Sequence, residues 1–120
     1  MMSGYRELIV WQKSIDLVEN VYKMTRKFPD DEKFNLVSQI RRSAVSIPSN
    51  IAEGQGRKTD GEFGYFLRIA FGSSSELETQ LLISLRLKFI TKEEYDAVSS
   101  LLTEIRKMLN TLILKLKTND

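Results

Sequence analysis

The side chains in this sequence best equipped for chemistry are its cations. Between Gln39 and Lys58 stand Arg41, Arg42, Arg57 and Lys58, opposed by a single carboxylate, Glu53. Guanidinium and ammonium groups gathered in this way suit phosphates. Each contact with a nucleic-acid backbone releases counterions and makes binding salt-sensitive. Arg57-Lys58 is the best-placed pair, because Gly54 and Gly56 precede it and glycine permits close backbone approach. In a second basic stretch Arg86, Lys88, Lys92, Arg106, Lys107, Lys115 and Lys117 outnumber Glu93, Glu94, Asp96 and Glu104. Between the two, Asp60, Glu62, Glu76 and Glu78 face only Arg68. The ordinary account is a solvated surface whose charges pair across neighbouring helices. On charge pattern alone it outweighs the phosphate-binding account.

A second group, Gln39, Arg42, Asn50, Glu53, Arg68 and Glu76, is suited to a polar network between helices. An arginine–carboxylate pair there would be favourable if partly buried. Its expected role is structural, setting the register of two helices. Whether Asn50 and Glu53 also serve function stays open at this level.

Other constellations fail on their own terms. Glu53-Gly54-Gln55-Gly56 lacks the spacing and the preceding strand of a phosphate-binding loop, and reads as a helix end. Gly72-Ser73-Ser74-Ser75 has no nucleophile elbow and no base. The chain has neither cysteine nor histidine. That removes disulfides, thiol catalysis, the usual zinc and iron–sulfur sites, and the commonest general base near neutral pH. A ferritin-like di-iron centre needs Glu-x-x-His and fails for the same reason. No metal, cofactor or catalytic residue is expected, and the protein reads as a non-enzyme.

The elements that must carry these side chains are helical. The chain has 120 residues, 42% hydrophobic and 28% charged, with a net charge of +2. It suits one domain, spanning 1-120, with a single core. Two prolines and six glycines are too few for an all-β fold. Apolar residues recur at steps of three and four in four segments, about 8-28, 31-56, 60-89 and 92-117.

Leu8, Trp11, Ile15, Val18 and Tyr22 mark the first stripe, which Pro29 brings to an end. Asp30-Asp31-Glu32 suits the start of the second helix. Val37, Ile40, Ala44, Ile47 and Ile51 continue through Pro48, which predicts a helix kinked there. Thr59 with Glu62, and Thr91 with Glu94, have the spacing of capping boxes opening the third and fourth helices. Phe63, Phe66, Ala70, Leu77 and Leu81 line the third. Tyr95, Val98, Leu102, Ile105, Leu109, Leu112 and Leu116 line the fourth. The polar end Lys117-Thr118-Asn119-Asp120 is expected to fray. Short connections make successive helices antiparallel, so the expected architecture is an all-α, up-down-up-down four-helix bundle.

Apolar residues exceed what these stripes need. The first helix adds Ile9, Val10, Leu17, Val21 and Met24, and the fourth adds Leu101, Met108, Ile113 and Leu114. Apolar surface left outside a core marks association, so a homo-oligomer is expected. The opening Met1-Met2-Ser3-Gly4-Tyr5-Arg6-Glu7 lacks the apolar core of a signal peptide, and Leu81 to Ile90 is too short for a bilayer. A cytoplasmic protein without membrane association is expected.

The run Gln39-Ile40-Arg41-Arg42-Ser43-Ala44-Val45-Ser46-Ile47-Pro48-Ser49-Asn50-Ile51-Ala52-Glu53-Gly54 resembles the signature of a family of four-helix proteins. These proteins were first noticed as reading frames inside intervening sequences of bacterial 23S ribosomal RNA genes, and the family's name is not a function. Leu8-x-x-Trp11-Gln12-Lys13, Phe28-Pro29, Glu62-Phe63, Phe66-Leu67-x-x-Ala70-x-Gly72-Ser73 and Glu76-Leu77-x-x-Gln80-Leu81 extend the resemblance over essentially the whole chain. It implies an antiparallel four-helix bundle and a homopentameric barrel. It also implies kinship with accessory proteins of diversity-generating retroelements, similar bundles that bind a reverse transcriptase and nucleic acid through a basic surface. It implies no activity, since the family has none established.

Two readings follow. The first is a non-enzymatic oligomeric bundle that binds RNA or DNA, structured RNA above all, with Arg41, Arg42, Arg57 and Lys58 as phosphate contacts. The second is a scaffold that docks a partner protein such as a polymerase. A contiguous basic face of the assembly favours the first. Scattered cations paired with carboxylates favour the second.

Overall fold

A computed structural model describes residues 4–119. Met1-Met2-Ser3, in the polar start, and Asp120, at the end expected to fray, lie outside the described residues. Four helices follow one another: α1 (Ile9–Thr25), α2 (Leu36–Gln55), α3 (Asp60–Arg86) and α4 (Lys92–Asn119). Short 3₁₀ turns at Tyr5–Glu7 and Asp30–Glu32 precede α1 and α2. Each helix packs on its neighbours in sequence, and α1 closes the ring against α4. Among the described residues no Cα atoms of the diagonal pairs, α1 with α3 and α2 with α4, come within 8 Å.

Contacts run in opposite order along paired helices, consistent with an up-down bundle. Lys13 meets Glu104 at 3.0 Å, while Lys27, just past α1, meets Glu94 near the start of α4. Ser46 meets Ser73 at 2.7 Å, while Gly54 lies against Phe63 and Phe66. The Cα extents of 45 × 21 × 21 Å are those of helices side by side, since α4 alone is about 42 Å long.

The core stripe of α1 is not the one its sequence suggests. Val10, Ser14, Leu17, Val21, Met24 and Thr25 are buried, whereas Leu8, Trp11, Ile15 and Val18 are half-buried and Tyr22 is exposed. Most of the apparent apolar excess of this helix is therefore its core. The inner stripe contains Ser14 and Thr25, which hide their hydroxyls by donating to the Val10 and Val21 carbonyls at 2.6 and 2.8 Å. Back-bonding of this kind lets a hydroxyl residue occupy an apolar face. In α2, Val37, Ile40, Ala44, Ile47 and Ile51 are buried as expected. In α4, Val98, Leu102, Ile105 and Leu109 are joined by Ile113.

Three helix ends depart from expectation by three residues or more, that of α3 among them, which stops at Arg86 rather than near Phe89. α1 stops at Thr25, whose carbonyl accepts from Phe28 N–H at 3.1 Å. α2 begins at Leu36 rather than near Asp31. Asp30-Asp31-Glu32 forms a 3₁₀ turn, and Asn35 at φ −125°, ψ −99° separates it from the helix. The Glu32 carboxylate still serves α2, accepting from Leu36 N–H at 3.3 Å. From Leu36 the helix runs unbroken through Pro48. In α3, Gly72-Ser73-Ser74-Ser75 stays helical despite its poor propensity, because burial of Ala70, Ser74 and Leu77 outweighs it.

The second capping box is reciprocal: Glu94 N–H donates to Thr91 Oγ1 at 3.1 Å, and Thr91 N–H to Glu94 Oε1 at 2.9 Å. The first is only half so. Glu62 N–H donates to Thr59 Oγ1 at 3.1 Å, but the Glu62 carboxylate takes the Thr59 hydroxyl rather than its backbone N–H.

Candidate nucleic-acid interface

All four predicted phosphate contacts lie on α2 or just past its end, and α2 holds them far apart. Arg41 and Arg57 are separated along the helix direction by about 24 Å at the helical rise. They form two pairs toward opposite ends of α2 rather than one patch on a single chain.

Within the first pair the two arginines differ. Arg41 is half-buried; its Nε donates to Thr25 Oγ1 at 2.9 Å and its Nη2 to the Tyr22 carbonyl at 3.4 Å. Its guanidinium lies 4.4 Å from the Tyr22 ring centroid. Arg41 thus fastens α2 to the end of α1. Arg42 is exposed, with no hydrogen bond or ion pair among the described residues. At the far end, Arg57 meets Glu53 at 2.5 Å and stacks 4.8 Å from the Phe66 ring centroid. Lys58 is exposed and makes no such contact among the described residues.

The expected polar network is not assembled as a unit. Gln39 donates to Asn35 at 3.2 Å, within one chain segment. Glu53 pairs with Arg57 along α2. Arg68 and Glu76 are exposed and bond to none of the others among the described residues. Asn50 alone joins a link between helices. Its Nδ2 donates to the Ser46 carbonyl at 2.8 Å and to Ser46 Oγ at 3.0 Å, and the Ser46 and Ser73 hydroxyls share a hydrogen bond of 2.7 Å. Small residues at this crossing bring α2 and α3 together. A Cβ on Gly54 would lie 2.7 Å from Phe66 Cβ.

An arginine given no individual role by the sequence makes polar contacts that join α3 and α4. Arg106 meets Glu78 at 2.7 Å, donates to Ser75 Oγ at 2.9 Å, and stacks 4.6 Å from the Phe71 ring centroid. The spacing Phe71, Ser75, Glu78 on one helical face was the available signal.

Apolar side chains also remain outside the core among the described residues. Tyr65, Ile69 and Ile83 are exposed on the outer face of α3, where a Cβ on Gly72 would meet nothing within 4 Å. Between α1 and α4, Leu8, Ile9, Met108 and Leu112 line a groove of about 330 Å³, with Lys107 and Lys115 at its margin. Beside Arg41 and Arg42, Phe34 is 89% exposed. Spacing alone hides this last residue, because Phe34 lies one step of three before Val37 and reads as part of the α2 stripe, whereas it precedes the helix, which begins at Leu36.

Among the described residues no helix is long and apolar enough to cross a membrane, and no cluster of acidic side chains is arranged to hold a metal ion. Fold and surface together define a class: an all-α four-helix protein whose distinctive groups are surface cations, aromatics and apolar faces. The chain belongs to the 23S rRNA-intervening sequence protein family, whose description matches residues 6–111. Its fold is similar to the crystal structure of a protein of unknown function from the S23 ribosomal protein family of Bacteroides thetaiotaomicron. The TM-score is 0.80 and the identity 30%, over 88% of this chain and 98% of the other. Comparison with curated proteins gives no match.

Proposed function

We propose that this protein is a non-enzymatic, self-associating bundle that acts in the cytoplasm and binds nucleic acid, structured RNA foremost, through cations displayed along α2. The observation carrying this reading is that Arg42 and Lys58 stand exposed without acidic partners among the described residues. Arg57 is available too, because an exposed pair such as Glu53–Arg57 contributes little stability and exchanges readily for phosphate. Arg41 acts as the anchor that holds this face together. A bend of α2 at Pro48 belongs to the same reading, since the ring removes the hydrogen bond to the Ala44 carbonyl and tilts one basic end relative to the other.

Two pairs some 24 Å apart are weak singly. Repetition around an oligomer, a pentamer by family resemblance, multiplies their effect. The exposed face of α3 supports self-association.

The test is binding to a labelled structured RNA across a salt series, with an Arg42→Ala/Lys58→Ala variant alongside. Wild-type affinity should fall steeply with salt. The variant's log–log slope should be shallower by about 2, about one unit per lost phosphate contact. Absence of binding at low salt refutes the reading.

A second reading, a scaffold docking a partner protein such as a polymerase, draws on the apolar groove between α1 and α4. It also draws on the pairing of Lys13, Lys27, Lys92 and Arg106 with carboxylates. Loss of partner capture on Ile9→Asp, with RNA binding intact, would favour it.

A further inference from the structure

We infer that the depression around Phe34 is a stacking platform for unpaired bases, so that the nucleic acid bound by this protein presents a single-stranded segment there. The inference rests on the nucleic-acid reading above and specifies which part of the ligand is recognised.

Tyr22, Lys33, Phe34, Arg41, Arg42 and Val45 line one surface depression of about 470 Å³. Phe34 projects from the turn between the 3₁₀ segment and α2 and is 89% exposed, the most exposed large apolar side chain described. Lone exposed apolar residues are ordinary. Here a whole aromatic ring shares one depression with a second ring and three cations. Lys33 Nζ lies 5.5 Å from the Phe34 ring centroid, and the Arg41 guanidinium 4.4 Å from that of Tyr22. None of the three cations is ion-paired among the described residues, although Asp30, Asp31 and Glu32 are close in sequence. Glu32 is turned to the Leu36 N–H.

This is the chemistry of a single-strand site. A flat apolar face accepts any base by stacking, and flanking cations take the phosphates on either side. Duplex bases are stacked on each other and cannot use the ring. The charge selects an anionic ligand, and the exposed ring selects one with free π-faces.

The experiment compares three labelled probes on the full chain: a single-stranded RNA oligonucleotide, the same sequence as a duplex, and the same backbone with abasic positions. Phe34→Ala should weaken single-strand binding about 10-fold, in the range found for loss of one stacked base. It should leave duplex and abasic affinities and the salt slope unchanged. Phe34→Tyr should retain affinity, and Phe34→Leu, apolar but without a π-face, should lose it. Thermal melts of each variant check that the fold is intact, as expected for an exposed side chain.

Equal single-strand binding by Phe34→Ala and wild type overturns the platform while leaving the phosphate-contacting surface standing. Retained affinity in Phe34→Leu overturns stacking. A changed oligomeric state in Phe34→Ala at unaltered stability overturns it in favour of a contact between copies. Failure of every form to bind any probe at low salt overturns the nucleic-acid reading itself.

Discussion

Two glycines inside helices should respond to alanine with opposite signs. In α2, a Cβ on Gly54 would lie 2.7 Å from Phe66 Cβ, 3.0 Å from Phe63 Cδ1 and 3.2 Å from the Phe63 carbonyl oxygen. Carbon atoms rest near 3.5–4.0 Å, so α2 and α3 must part by about 1 Å. Phe66 Cβ and the Phe63 carbonyl belong to the helix frame and cannot swing aside. Overpacking of this kind costs about 1–3 kcal/mol. Replacing a helical glycine recovers up to about 1 kcal/mol, and less here because Gly54 sits in the last turn.

Gly54→Ala should therefore destabilise the bundle by about 1–2 kcal/mol. Gly72 lies mid-way along α3, and a methyl group added there would meet nothing within 4 Å. Gly72→Ala should stabilise a single bundle by about 1 kcal/mol. The two variants would differ by about 2–3 kcal/mol, or roughly 10 °C in Tm for a chain of this size.

Urea and thermal unfolding followed by circular dichroism, repeated over a range of protein concentrations, measures both. A Gly54→Ala protein as stable as wild type would refute the close approach of α2 and α3. A destabilised Gly72→Ala protein would refute the open surroundings of Gly72 and show that a neighbouring copy packs against the outer face of α3.

Two further outcomes are expected. Lys88 has φ +65° at the end of α3, where the Phe89 and Lys88 N–H groups donate to the Ser84 and Leu85 carbonyls at 2.9 and 3.0 Å. This is a glycine-type helix cap occupied by lysine, and Lys88→Gly should raise stability by about 1 kcal/mol, read as a higher Tm. Lys27 and the Thr91 N–H hold the Glu94 carboxyl below the ordinary glutamate value of 4.5. The contribution of Glu94 is then complete above that value and is lost as pH falls through the lower folded value. Urea unfolding over a pH series should show Glu94→Gln less stable than wild type at about pH 7, with the difference shrinking as pH falls below 4.5.

Local rules made the element order legible. Apolar steps of three and four, Pro29, the Thr59 and Thr91 caps and the turn after Gly54 mark four helices and their three connections. These act over a few residues, so spacing along the chain suffices to read them. The signature from Gln39 to Gly54 likewise showed the family. Which side of α1 faces inward was decided by packing. Both of its stripes are apolar, and Ser14 and Thr25 enter the core because the helix backbone itself takes their hydroxyls.

The fate of the charges was also tertiary. In the sequence Arg41 and Arg42 are adjacent and equivalent. In the bundle one is tied to Thr25 and Tyr22, and the other remains open to solvent. Neighbours in a helix point about 100° apart, so one can reach α1 while the other cannot. Phe34 gains its meaning the same way, as its ring shares a depression with Tyr22 only once α1 and α2 have packed. Sequence alone determined the helices and the inventory of cations. Only the packed structure, by burying one side of each helix, decided which of those groups remain free to meet a partner.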